Sequence, residues 1–182
     1  MTDLRAVAVF GSSTIERDSA EWAQAERCGS LLAQASLAVA SGGYGGVMEA
    51  VSHGAAAAGG RVIGVTAPTV FPHRTGPNEH VHEIIEAASI TERIHLLVSV
   101  SAGVIVLPGS LGTFTELVAA WNAAYVAPLS DTAHRPIITV GDTWNSLIDT
   151  ISVRLDADRS GIETAATVDA AVRRMVDLLG VG

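Results

Sequence analysis

The 182-residue sequence predicts an α/β fold: one domain over residues 1–182, with a parallel sheet covered by helices on both faces. Three observations carry that reading. Apolar runs of strand length alternate with helical periodicity from end to end. The chain is 48% hydrophobic with 18 glycines and only 4% aromatic residues, which suits tight strand–helix turns. Finally, three strand runs end in Gly/Ser turns, at 11–13, 41–46 and 108–113. In a parallel sheet such turns open on one edge, beyond the carboxyl ends of the strands, where ligands of this architecture bind.

The elements follow in order. AVAVFGSS (6–13) is an apolar strand stopped by Gly11 and two serines. Residues 18–36 form a helix whose inner stripe is Trp22, Ala25, Cys28, Leu32 and Ala35. LAVASGG (37–43) is a strand and turn; a small-residue helix runs from Gly46 to about Ala58 and stops at Gly59-Gly60. RVIGVTAP (61–68) is a third strand, ended by Pro68. Residues 68–80, rich in Pro, Gly and His and without periodicity, read as a mobile loop able to cover a site. HVHEIIEA gives a short strand, 90–101 a helix, 103–107 a buried strand and 111–124 a helix. A strand at 135–140, a helix at 144–155, a break at Gly161 and a last helix at 167–180 complete the chain.

Composition removes several function classes. The formal charge of −8 argues against general binding of nucleic acid or an anionic membrane, both of which need a broad basic surface. All 11 basic residues are arginines; there is no lysine. That excludes a Walker A phosphate loop and any Schiff-base lysine, including pyridoxal-phosphate chemistry. The single Cys28 allows no internal disulfide and no cysteine metal cluster, and reads as helix filler. His80 and His82 lie two apart on a strand, but no third ligand has metal spacing, so no metal and no cofactor are expected. No basic leader precedes the strand 5–10 and no apolar run reaches the ~20 residues of a membrane span, so a cytoplasmic protein is expected.

The turns carry the chemistry. SGGYGGVMEA does not fit the dinucleotide fingerprint G-x-G-x-x-G; its Gly43 and Gly45 either let a ligand approach the backbone or only pack a helix on the sheet. Ser12 belongs to the neighbouring turn. PGSLGT is more specific. Gly109 and Gly112 bracket a turn, Ser110 and Thr113 add hydroxyls around Leu111, and the following helix contributes roughly half a positive charge at its start. With no lysine available, backbone N–H groups and hydroxyls must hold an anion there, helped by an arginine. Arg93 and Glu116, each near a helix start flanking the strand 103–107, are the candidate catalytic residues, with a surface ion pair as the alternative. Trp121, Tyr125 and Trp144 read as core or subunit contacts.

Together SGGYGGVMEA, Thr91-Glu92-Arg93 and PGSLGTFTE resemble the LOG (LONELY GUY) family of cytokinin riboside 5′-monophosphate phosphoribohydrolases, over about residues 5–125. The family pattern P-G-G-x-G-T-x-x-E meets Pro108, Gly109, Gly112, Thr113 and Glu116, with Ser110 in place of the second glycine. Ile94 stands where lysine is usual, and Ile90-Thr91 where Met-His is usual. The resemblance implies a Rossmann-like homodimer that hydrolyses the N-glycosidic bond of a nucleoside 5′-monophosphate, AMP or a cytokinin riboside monophosphate, to free base and ribose 5-phosphate. It implies Arg93 and Glu116 as the catalytic pair, and a small-molecule nucleotide as partner. Two other readings compete: a non-catalytic nucleotide or phosphorylated-cofactor carrier on the same scaffold, and, more weakly, a phosphotransfer enzyme.

Overall fold

The computed structural model describes residues 5–130 and 135–181. Its centre is a seven-stranded, all-parallel sheet in the order β4-β3-β2-β1-β5-β6-β7. The strands are β1 (Ala6–Phe10), β2 (Ala38–Ser41), β3 (Val62–Thr66), β4 (Glu83–Glu86), β5 (Gly103–Val106), β6 (Ile137–Val140) and β7 (Ile162–Ala165). The helices are α1 (Ala20–Gln34), α2 (Val47–Ala57), α3 (Ile90–Ser99), α4 (Leu111–Ser130), α5 (Asn145–Leu155) and α6 (Val168–Leu179). The expected α/β class, with helices on both faces of a parallel sheet, is what the chain adopts.

The two-residue period of β1 shows why both faces are covered. Val7 and Val9 join Leu32, Val51 and Met175 in one core, under α1, α2 and α6. Ala8 and Phe10 join Leu97, Leu117, Trp121 and Ile148 in the other, under α3, α4 and α5. Three helices begin at hydroxyl caps: Ser19, Ser89 and Thr167 accept from the N–H groups of Trp22, Glu92 and Ala170. Each such cap stabilises its helix by about 1 kcal/mol.

Two elements differ from the sequence reading. Residues 162–165, read there as part of a break, form the edge strand β7; only Ile162 and Ala165 are buried, so no apolar run marks it. Helix α4 runs six residues past 124, through Pro128. Pro128, two residues before the end of the helix, has no N–H to donate to the Ala124 carbonyl, so the ladder lacks that one bond in its last turn.

Strand β1 leads outward through β2, β3 and β4 on one side, while β5 begins the walk to β6 and β7 on the other. The strand order therefore reverses between β1 and β5, paired in register Val9↔Ile105 and Phe10↔Val106. A crevice opens beyond the carboxyl ends of two such strands.

Candidate active site

The three Gly/Ser turns meet at this crevice. Ser12 N–H donates to the Pro108 carbonyl (3.2 Å), and the Ser12 carbonyl accepts from Val47 N–H (2.8 Å). The turns after β1, β2 and β5 are thus joined through one residue. They enclose a cavity of about 250 Å³ whose lining includes Ser13, Gly42, Arg93, Ser110, Thr113 and Glu116. On one wall α4 starts: its first i→i−4 bond runs from Phe114 N–H to the Ser110 carbonyl (3.0 Å). The N–H groups of Leu111, Gly112 and Thr113 precede that bond and have no backbone acceptor among the described residues, at the positive end of the helix. Gly109 lies directly against Thr113: a Cβ there would fall 2.2 Å from Thr113 Oγ1, so a side chain would push the threonine out of place.

The floor holds a buried ion pair. Arg93 comes from the first turn of α3, a helix fixed by a reciprocal cap in which Ser89 Oγ accepts from Glu92 N–H and Glu92 Oε2 from Ala88 N–H. Glu92 serves that cap, while Arg93 points inward with 5% of its surface exposed. Its Nε donates to the Val65 carbonyl (2.7 Å), Nη2 contacts Met48 Sδ (3.6 Å), and Nη1 lies 3.6 Å from Glu116 Oε1. Gly42 makes room: a Cβ there would lie 1.6 Å from Arg93 Nη2. The surface-pair alternative for Arg93 and Glu116 does not hold, since their side chains are only 6% and 15% exposed. Burial pushes the Glu116 carboxyl up from the usual 4.5 to about 7, against the opposing pull of Arg93. Burial also lowers the Arg93 guanidinium, with Glu116 opposing.

Of the residues singled out in the sequence, Arg93, Ser110, Gly112, Thr113 and Glu116 line this cavity. Gly45 lines an adjoining open groove of about 480 Å³, together with Glu49, His73 and Asn78. Ser12 and Gly43 act through backbone bonds that hold the turns, Gly43 by accepting from Asn78 N–H (2.7 Å). Leu111 faces outward, 79% exposed. The sequence reading passed over Gly42, Met48, Phe71 and Arg74, which also line the cavity, and Tyr44, which stands behind it. The Pro, Gly and His content of 68–80 and its lack of periodicity are the sequence signal that this loop could reach the site.

The remaining candidates lie elsewhere. His82 Nδ1 accepts from Val62 N–H (3.1 Å), and the His80 ring packs against that of His53. Trp121 and Trp144 are core residues whose indole N–H groups donate to the carbonyls of Asp158 and Leu107. Among the described residues no helix is long and apolar enough to cross a membrane.

The SLOG cluster4 family model matches residues 4–152, a span that holds both walls and the floor of the cavity. The chain belongs to the SLOG cluster4 family. The three motifs that resemble LOG proteins fall inside the matched span. A Mycobacterium tuberculosis protein named cytokinin riboside 5′-monophosphate phosphoribohydrolase is 35% identical over 103 residues, 57% of this chain and 52% of its own length. An Escherichia coli pyrimidine/purine nucleotide 5′-monophosphate nucleosidase is 32% identical over 118 residues, 61% of this chain and 25% of its own. This SLOG chain therefore spans about half of the first relative and a quarter of the second. The solved molybdenum cofactor carrier protein of Chlamydomonas reinhardtii superposes over 97% of this chain and 99% of its own with a TM-score of 0.75. At 22% identity that likeness is one of fold.

Proposed function

We propose that this SLOG domain hydrolyses the N-glycosidic bond of a nucleoside 5′-monophosphate, releasing free base and ribose 5-phosphate. The observation that carries the reading is a buried carboxylate–guanidinium pair on the floor of a cavity whose wall is a helix start. The mycobacterial and E. coli relatives, named for this class of reaction, support it. AMP and cytokinin riboside monophosphates are the substrates to try first.

The 5′-phosphate sits against the N–H groups of Leu111, Gly112 and Thr113 and the hydroxyls of Ser110 and Thr113. Glu116 lies one turn further along α4, within reach of C1′ of the same nucleotide. The C1′–N bond breaks with its electron pair leaving on the base, and positive charge develops on the ribosyl ring. Water then bonds to C1′ and gives one proton to Glu116; the departing base takes a proton from solvent, and Glu116 returns its own to solvent, restoring the carboxylate. A carboxyl with a pKa of about 7 is well matched to accept that proton near neutrality. In its ionised form it also stabilises the ribosyl cation. Arg93, tied to Val65 and facing Glu116, is a positioning residue: it orients the carboxylate and favours its ionised form. Binding of the remote phosphate supplies the orientation at C1′.

The exposed side chains of Leu111, Val118, Tyr125 and Leu129 lie seven, seven and four residues apart along α4 and form one apolar stripe beside the cradle. That stripe supports a homodimer packed through α4, and we place the protein in the cytoplasm, acting as one nucleotide-binding domain. Leu129→Glu should shift the sedimentation coefficient to that of a monomer; a monomeric parent would refute the dimer. The carrier reading draws on Ser110 and Ile94, both in the cavity lining. One assay separates the two. Purified protein is incubated with AMP and with isopentenyladenosine monophosphate, and released base is followed by chromatography. Release that Glu116→Gln reduces by about 10²- to 10⁴-fold, with AMP binding retained, is the expected result. Binding without release would establish the carrier instead.

A further inference from the structure

Two arginines line the cavity, and their surroundings are opposite. Every arm of Arg93 is engaged, by the Val65 carbonyl, Met48 and Glu116, and Gly42 closes against its tip. Arg74, on the loop between β3 and β4, is exposed, and among the described residues no carboxylate lies within ion-pair distance of it. It is nonetheless held in place. Its guanidinium carbon lies 4.5 Å from the centre of the Tyr44 ring and 4.6 Å from that of Phe71, and those two rings meet edge to face. The loop itself is pinned to the glycine turn after β2, because Asn78 Nδ2 donates to the carbonyls of Gly43 (3.1 Å) and Tyr44 (3.0 Å).

Charge shows what this arrangement is suited to hold. The ionisable residues lining the cavity are Arg74, Arg93 and Glu116, so with Glu116 ionised the sum is two positive minus one negative, or +1. Without Arg74 it would be zero, in a chain of formal charge −8. A phosphate monoester brings about −1.5 to −2 at neutral pH. Among the described residues, the one cation lining this cavity without a carboxylate partner is therefore Arg74. A guanidinium held by cation–π attraction to two rings has none of its N–H groups committed to a carboxylate, and its planar fork matches phosphate oxygens in a bidentate contact.

We propose that Arg74 is the specificity-determining residue of the cavity: it pairs with the phosphate held at the start of α4 and makes the site select phosphorylated ligands. This rests on the nucleotide reading above, but not on turnover. The test is calorimetric titration of the parent, Arg74→Gln and Arg74→Lys with AMP, adenosine and inorganic phosphate. Arg74→Gln should weaken AMP binding by about ten- to a hundred-fold, with Arg74→Lys restoring part of it. Adenosine affinity should change by less than about twofold, well inside one charged contact. In steady-state assays the rise in KM should exceed any fall in kcat.

Equal losses for AMP and adenosine would mean that Arg74 only braces the rings and the loop, and would overturn the proposal. So would unchanged AMP affinity, or a loss confined to inorganic phosphate. A parent that binds no AMP would overturn both this inference and the nucleotide reading. A parent that binds AMP and releases no base would sink the hydrolase alone, leaving Arg74 to be judged by the same titrations.

Discussion

The floor and the rim of the cavity are built by different means. The floor is packed: Gly42, Met48, Arg93 and Glu116 are locked between strand ends and helix starts, and burial sets the protonation of the acid. The rim is charged and open, with Arg74 resting on two rings and α4 presenting its first N–H groups. Packing is suited to tuning a reactive group, because a small displacement there changes desolvation and distance together. An open cation is suited to selecting a ligand, because it gains its partner only when the ligand arrives. Floor substitutions should therefore alter stability, pH profile and rate, and rim substitutions mainly affinity.

The largest effect should come from breaking the floor's ion pair. Arg93→Leu strands Glu116 as a buried carboxylate without its cation, a change that costs about 3–5 kcal/mol. Loss of Arg93 also removes what holds the Glu116 pKa down, so the rise of activity with pH should move above 7. Urea unfolding and a pH–rate profile would read both; a profile still rising near 7 would dissociate Arg93 from Glu116.

Next comes a stability effect with a defined sign. Glu116 has a folded pKa of about 7 against a usual 4.5, so the folded protein binds that proton more tightly than the unfolded chain. Stability contributed by the protonated form is therefore present below about pH 4.5 and is lost as pH rises through 7. Glutamine cannot ionise and escapes that loss. Between pH 4 and pH 8, Glu116→Gln should gain on the parent by about 3 kcal/mol. Parallel stability curves for the two proteins across that range would show that the carboxyl titrates normally.

How much of this was visible in the sequence depends on what kind of fact it is. Strands such as AVAVF and GVIV are buried on both faces, so they read as apolar runs stopped by glycine, and the sheet followed from them. The cradle was legible too, because strand, Gly109, Gly112 and helix succeed one another within ten residues. The pairing of Arg93 with Glu116 was a guess about two helix starts, made definite only by the approach of α3 and α4 over Gly42. Strand β7 was missed because an edge strand buries only its ends. Arg74 was missed because an aperiodic loop gives no signal for side-chain direction; only its contact with Tyr44 and Phe71, thirty residues back and three residues back, brings it to the cavity.

Gly42→Ala tests the floor more gently. The added methyl would sit 1.6 Å from Arg93 Nη2 and 2.6 Å from Met48 Sδ, so the guanidinium must move and the cost should be about 1–3 kcal/mol. Because that movement separates Arg93 from Glu116, the variant should share the upward-shifted pH profile of Arg93→Leu at a smaller loss of stability. A variant destabilised but with the parental profile would mean that Met48 absorbs the strain and the ion pair survives.

The smallest stability effect should belong to the rim. Arg74→Gln gives up two exposed cation–π contacts, each about 0.5–1 kcal/mol and partly replaced by glutamine's own packing on the rings, so the net change should stay near 1 kcal/mol. The contrast with Arg93 is then the measurement that matters: two arginines facing one cavity, one whose loss unsettles the fold and one whose loss is felt mainly when phosphate is present. Adding AMP sharpens it. Ligand raises the melting temperature by an amount set by its affinity, so at one AMP concentration the parent should be stabilised more than Arg74→Gln. Equal ligand-induced shifts would erase the difference between floor and rim, and return Arg74 to the status of a surface charge.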